Sequence, residues 1–240
     1  MSSIVIAGDT SGSVTLQAPA VSGSTVLTLP STTGTVMAPT SSGTAGQVLT
    51  SSGSATPTWT SPSAGAMTFI SVQTVSGTPS TLDFTSGISA TYDDYMVIFE
   101  DVAMSGTTTL LLFQFYKSGA FQTSTYRSNY IYAAGNSTSV FSTAVTSDGF
   151  VITRQSSTTA ANLRSGTINI YNLNSATAYA ASCTYMGQNH GSSATGLDNT
   201  LTFGGGSQGT AAAVTQLRFT PSGGATFTSG TFRLYGIQKS

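Results

Sequence analysis

The chain has 240 residues, which is enough for one sizeable β-domain with a tail or for two small domains. Only 6% of its residues are charged, against about 25% in an ordinary globular protein, and the net charge is −1. The sequence shows no basic patch that would neutralise phosphates, so we do not expect a nucleic-acid partner. So little charge also gives little self-repulsion, which favours permanent assembly with further copies of the chain.

The residue usage predicts an all-β protein. Strand-forming Val, Ile, Thr, Tyr and Phe are common, helix-forming Leu, Glu and Lys are scarce, and no stretch has a helical period. No apolar run approaches the length of a membrane span, and the N-terminus does not resemble a secretory signal, so neither is expected. Cys183 is the single cysteine and cannot form an intrachain disulfide; we expect a small buried apolar side chain.

Residues 1–65 form the first predicted region, an extended arm or shaft. More than half of them are Ser, Thr or Gly, Asp9 is their only charge, and Trp59 is their only aromatic residue. Short apolar runs at strand period recur between Gly and Ser, and none could bury a core alone. We predict strands completed by other chains; a disordered linker is the alternative. The residues predicted to anchor and trimerise the arm are Val14, Leu16, Val26, Leu27, Leu29, Val48, Leu49 and Trp59.

Residues 66–240 form the second predicted region, a jelly-roll-like β-sandwich. Strand-length apolar runs recur every 8–15 residues or so between turn-forming clusters. The Gly187–Asn199 and Gly204–Ala212 segments are predicted to be polar loops, with Gly204 to Gly206 flexible. The predicted strands are Thr68–Val75, Ser80–Phe84, Tyr95–Val102, Thr108–Tyr116, Thr125–Tyr132, Val140–Thr143, Phe150–Thr153, Gly166–Tyr171, Tyr179–Met186, Thr200–Phe203, Val214–Thr220 and Gly230–Ile237.

The ionisable residues do not form a recognisable catalytic pattern. His190, the only histidine, lies in a loop-like run without a nucleophile elbow elsewhere in the chain; a metal ligand on a three-fold axis is a less favoured reading than an exposed loop residue. The pairs Asp93-Asp94 and Glu100-Asp101 flank a predicted strand rather than facing each other across a sugar. We therefore predict no enzyme activity, no metal site and no cofactor.

Recognition by a surface remains as a prediction. Tyr126 and Tyr130 alternate along a strand near Asn129, and Asn189 and His190 lie in a predicted loop. Aromatic faces with nearby amides can hold sugar rings, so these five residues are predicted as possible receptor contacts. The alternative is that the tyrosines pack in, or at the rim of, the sandwich.

Two N-terminal stretches carry a family resemblance. The segment Gly43–Gly53 with Pro57–Trp59 resembles the GxxGQVLTSxG…PTW segment that recurs in bacteriophage tail fibres and related virion fibres. The Thr15–Pro19 segment, together with Thr28–Pro30 and Gly34–Val36, is similar to shaft repeats in the same proteins. At the other end of the chain, Tyr92–Phe99 and Ser229–Ile237 resemble C-terminal β-sandwich domains of phage fibre and capsid-associated proteins.

The resemblance implies a virion structural protein that is usually a homotrimer. In the favoured form it is a trimeric tail fibre, made in the host cytoplasm and exposed on the particle. Its N-terminal region would attach to tail, baseplate or capsid proteins, and its sandwich would adhere to a host-surface glycan. The alternative is a capsid decoration or head-fibre protein whose arm clamps major capsid proteins, because the chain is short for a long tail fibre. A sugar-degrading tailspike is a minor third reading.

Overall fold

The computed structural model describes an all-β chain, as predicted. It describes residues 3–7, 9–17, 43–52, 55–62, 67–92, 94–106, 109–134, 140–145, 148–153, 162–190 and 200–238. These residues form antiparallel strands, turns and bends, and no helix occurs among them. The chain divides into two compact units, Met1–Pro62 and Ser63–Ser240, three residues from the predicted boundary.

The first unit contains two antiparallel hairpins. Strand β1 (Ser3–Ala7) pairs with β2 (Ser13–Gln17), and β3 (Val48–Ser52) pairs with β4 (Ala55–Thr60). Their short runs of β-branched and apolar residues explain the strands, and the intervening Gly and Ser residues explain the turns. Among the predicted anchoring residues, Val26, Leu27 and Leu29 lie outside the described residues, and Val14 and Leu16 lie in β2, but their side chains are outside the description.

The described residues of the second unit form thirteen strands in two sheets. Every strand predicted there is present, and the one strand the prediction omits is the two-residue β9. The strands are β5 (Met67–Thr74), β6 (Leu82–Phe84), β7 (Asp94–Met104), β8 (Leu111–Lys117), β9 (Ala120–Phe121), β10 (Tyr126–Ala134), β11 (Val140–Val145), β12 (Phe150–Thr153), β13 (Leu163–Tyr171), β14 (Ser182–His190), β15 (Thr200–Gln208), β16 (Gln216–Pro221) and β17 (Phe227–Ile237).

Four pairs of strands in the second unit are nested along the sequence. The large sheet has the order β11-β10-β15-β14-β13-β7-β17-β5, and the small sheet has the order β12-β8-β16-β6 with β9 beside β8. Pairs form between β5 and β17, β6 and β16, β7 and β13, and β8 and β12, so the first strand pairs with the last and so on inward. The two sheets are consistent with a β-sandwich, and β10, β11, β14 and β15 widen one of them.

Aromatic side chains fill the space between the two sheets. Phe219 on the small sheet and Phe232 on the large sheet lie 4.6 Å apart between ring centroids, and Phe113 stacks on Phe219 at 5.0 Å. Strands of the large sheet alternate buried and exposed residues, as in β14, because one face meets this core and the other does not. The run Leu111–Phe115 is buried throughout, including the polar Gln114, and most of the continuously apolar run Leu110–Phe113 lies within it.

Parts of two predicted loops, residues 187–190 and 204–208, are strands in the structure. Strand β14 continues through His190 and β15 through Gln208, so His190 and the glycines at 204–206 belong to the ladder. A Cβ on Gly204 would lie 2.3 Å from the Tyr185 hydroxyl, and one on Gly206 would lie 2.2 Å from the Arg127 carbonyl oxygen. These glycines therefore allow close packing against a ring and a neighbouring strand, rather than flexibility.

Candidate functional surfaces

The residues predicted to contact a receptor do not share a surface. Tyr126 and Tyr130 point inward from β10 and are 0% and 5% exposed, while Asn129 between them points outward. Asn189 is fully buried on β14, and His190 is half-buried at the end of that strand. Buried side chains offer nothing to a receptor, so the prediction is corrected for the two tyrosines and Asn189. The tyrosines pack in the sandwich, which was the alternative.

Tyr126 connects the two sheets. Its hydroxyl accepts a hydrogen bond from the Phe115 backbone N–H at 2.8 Å, and its ring meets Phe150 edge-on at 4.8 Å. Both partners belong to the small sheet, whereas Tyr126 belongs to the large one. Burial raises the pKa of the Tyr126 hydroxyl well above its usual range, because the phenolate would lose its hydration. The hydroxyl therefore serves as a neutral structural group.

A buried polar row crosses three strands of the large sheet. Arg164, Asn189 and Thr200 are paired across β13, β14 and β15, and all three are essentially unexposed. Arg164 donates to the Asn162 carbonyl oxygen at 3.2 Å, and burial lowers its pKa to about 10. The sequence analysis did not predict this row. The two-residue period of a strand could have revealed it, because it places Arg164 on the same face as the apolar Ile168 and Ile170.

A second buried polar group, at Lys117, is satisfied by the backbone. Its ammonium donates to the carbonyl oxygens of Gln208 at 3.4 Å and Thr210 at 3.0 Å, and burial lowers its pKa. Gln208, also buried, donates to the Thr125 hydroxyl at 2.8 Å. These bonds hold β8 and β15 to the connections beside them, so the lysine has a structural role.

Three of the six carboxylates that the structure describes, Asp83, Asp94 and Glu100, accept hydrogen bonds. Asp83 receives two hydrogen bonds from Arg218 at 2.8 and 2.7 Å, and Glu100 pairs with Arg233 at 2.5 Å. Within the described ranges no three His, Cys, Asp or Glu side chains group as metal ligands, and Asp93 lies outside these ranges.

Cys183 is buried among apolar side chains, as predicted, and burial raises the pKa of its thiol. The described part of the chain also contains no helix that could span a membrane.

Exposed apolar side chains are concentrated on the outer face of the large sheet. Ile131, Phe203 and Met186 point outward from neighbouring strands, and Phe69 and Val72 point outward from β5. A depression of about 420 Å³ lies beside the first group, between β10 and β15. Sequence reasoning missed this face because each of these strands carries apolar residues on both faces.

The two hairpins of the first unit also expose apolar side chains. Ile4, Val5 and Ile6 are 65%, 61% and 56% exposed, so both faces of the β1–β2 hairpin are uncovered. Val48 and Leu49 are exposed on β3, while the Trp59 ring is half-buried against Gly43. No residue described in this unit is buried. A hairpin of this kind is at best marginally stable alone in water, so its side chains need a further covering surface.

Comparisons with protein-family models, with curated proteins and with solved structures gave no match to this chain.

Proposed function

We propose that this protein is a non-enzymatic structural component of a bacteriophage particle, a trimeric fibre-type appendage exposed on the virion. Its first unit attaches to other virion proteins and intertwines with further copies, and its sandwich adheres to the host surface. Weak contacts on three chains, and on several appendages, combine through effective concentration. The proposal draws on the resemblance of Gly43–Gly53 and Pro57–Trp59 to phage fibres, and on one structural observation.

That observation is the exposure of the apolar side chains that the structure describes in the hairpins of the first unit. Ile4, Val5 and Ile6 lie on both faces of one hairpin and are all more than half exposed. Covering both faces needs at least two surfaces from outside the hairpin, which an intertwined trimer supplies. Each covered aliphatic side chain contributes about 1.5–3 kcal/mol, so such an arm would be stable only when assembled.

Light scattering on the purified full chain tests the trimer. We expect a mass about three times the 24.4 kDa of one chain at micromolar concentration. A mass of one chain at that concentration would refute the trimer.

A capsid decoration or head-fibre protein is the second candidate, because Tyr92–Phe99 and Ser229–Ile237 resemble domains of capsid-associated proteins as well as of phage fibres. In that role the first unit lies along major capsid proteins and the sandwich is secondary. Quantitative mass spectrometry of purified particles separates the two. A copy number at the three-fold or six-fold multiplicity of a tail supports the fibre, whereas hundreds of copies support decoration.

A further inference from the structure

The outer face of the large sheet carries a row of side chains that crosses seven strands. Ile131 on β10 pairs with Phe203 on β15, which in turn pairs with Met186 on β14. In order from that point the row reads Phe203, Met186, Thr167, Ile98, Arg233 and Val72. The sandwich buries the opposite face of these strands; the two ends of this row are exposed, and Thr167, Ile98 and Arg233 in its middle are half-buried.

The row has an exposed apolar group near each end. Ile131, Phe203 and Met186, here called the first half, are 45%, 42% and 45% exposed. Phe69 and Val72, here called the second half, are 54% and 48% exposed, and Phe69 meets Tyr235 edge-on at 5.7 Å. Contiguous apolar patches on a soluble protein mark interaction surfaces.

The charge on this face identifies the kind of partner. The described outward residues of β13, β14 and β15 include no Asp, Glu, Lys or Arg, and Glu100 and Arg233 on neighbouring strands neutralise each other. The other charged residues described as exposed or half-buried on strands of this sheet are Arg127 on β10 and Asp94 and Asp101 on β7, so charges of both signs are few and mixed. Such a face suits a neutral apolar partner and gives no attraction to a strongly charged one. The chain itself, with 6% charged residues, presents that chemistry, so a further copy is the matching occupant.

The size of the face suits contacts with two neighbours. Eight strands about 4.8 Å apart and about 30 Å long give a face on the order of 1,100 Å². Shared between two neighbours, it would bury roughly 1,100 Å² of combined surface per contact, which is within reach of a specific interface. Strands rotate by about 20–25° at each step, so the two halves point in directions that differ by roughly 100° or more and meet different neighbours.

We propose that this face is the interface between copies of the chain, with the first half of one copy packed on the second half of the next. Contacts between unlike halves form a closed ring when the rotation that relates one copy to the next adds up to a full turn, and in the proposed trimer this happens after three copies. The inference rests on the proposed trimer and adds to it the surface through which the sandwiches associate.

Site-specific cross-linking of the full chain tests this arrangement. In a Cys183→Ala background, Phe203→Cys and Val72→Cys place one thiol in each half, and a short bis-maleimide joins thiols that lie close together. We expect a product of three chains on a denaturing gel, because each copy is joined to two others. The matched control pairs Phe203→Cys with Thr215→Cys, an exposed position next to β16 of the small sheet. It should give no three-chain product.

Three results would overturn the inference, and they differ in what they say of the proposed function. A two-chain product from Phe203→Cys alone would mean that like halves meet. A trimeric mass without the three-chain product would mean that the copies are held together elsewhere, and the proposed function would stand. A single-chain mass would overturn both the interface and the trimer.

Discussion

Single buried side chains determine how the two sheets of the sandwich fit together. Tyr126 supplies the large sheet with a hydroxyl that satisfies the Phe115 N–H of the small sheet. Gly204 leaves room for the Tyr185 ring, which a methyl group would clash with. Cys183 fills an apolar position on the same inner face as Tyr185. Each of these residues has a packing role that explains its chemistry without a catalytic one.

Removing the Tyr126 hydroxyl should destabilise the sandwich. In Tyr126→Phe the Phe115 N–H stays buried without its acceptor, so we expect the free energy of unfolding to fall by about 1–3 kcal/mol. Denaturant unfolding measures this change. Tyr116→Phe is the control, because Tyr116 is half-buried and packs edge-on against Phe121 within the small sheet. Equal losses in the two variants would contradict the role given to the Tyr126 hydrogen bond.

Alkaline pH should destabilise the fold through Cys183. Burial raises the pKa of this thiol above its ordinary value of 9.0 in the folded chain only. Above pH 9 the unfolded chain loses the proton and the folded chain keeps it, so the free energy of unfolding falls as pH rises. The contribution of Cys183 to this slope should approach about 1.4 kcal/mol per pH unit as pH rises from about 9 to 10.

Other buried groups limit this test to that interval. Above about pH 10 the unfolded chain also ionises at Tyr126 and Tyr185, whose folded pKa values burial raises. Burial lowers the pKa of Arg164 to about 10 and also lowers the pKa of Lys117, and both groups act in the opposite direction, so the quantity to compare is the difference in slope between wild type and Cys183→Ala. Cys183→Ala is the control: it costs stability at every pH but should flatten the slope between pH 9 and 10. An equally steep wild type and variant would show that another group is responsible.

At the scale of strands, the sequence predicts where most strands lie but not which of their residues point into the core. Phe150–Thr153 was predicted to the residue, because an apolar run between turn signals is a local property. Strand β15 was cut short, because three successive glycines are a local signal for a loop. What keeps them in a strand is tertiary: the Tyr185 ring and the backbone of β10 occupy the space that side chains would need.

The face of a strand that turns inward was equally hard to predict. Along β10, one face carries Tyr126 and Tyr130, and the other carries Asn129 and Ile131. The two faces have similar hydrophobicity, so period-2 alternation separates them without showing which is buried. The predicted receptor set mixed both faces for that reason. The exposed row through Phe203 was missed for the same reason, since its residues are neighbours only through strand pairing.

At the scale of the whole chain, the two units differ in how they are stabilised. All of the buried side chains in the described residues belong to Ser63–Ser240, and none of the side chains described in the hairpins of Met1–Pro62 is buried. The low charge and short apolar runs of the first region predicted this difference in burial. They could not define the surfaces that cover its hairpins, because those surfaces belong to other chains in the proposed assembly.

Deleting the first unit should therefore separate folding from attachment. We expect a fragment of residues 63–240 to keep the cooperative thermal unfolding transition of the full chain, because its core stays intact, and calorimetry measures this.

In particles grown from a genome lacking the gene and supplied with the fragment, we expect no incorporation of the fragment, because the proposed attachment region is gone. The full chain with Ile4→Ser and Ile6→Ser is a milder variant for comparison. Its sandwich should fold normally, and it should be incorporated into particles less than the wild-type chain is. Normal incorporation of the fragment would place the attachment surface on the sandwich, and a lost thermal transition would show that the sandwich needs its N-terminal unit to fold.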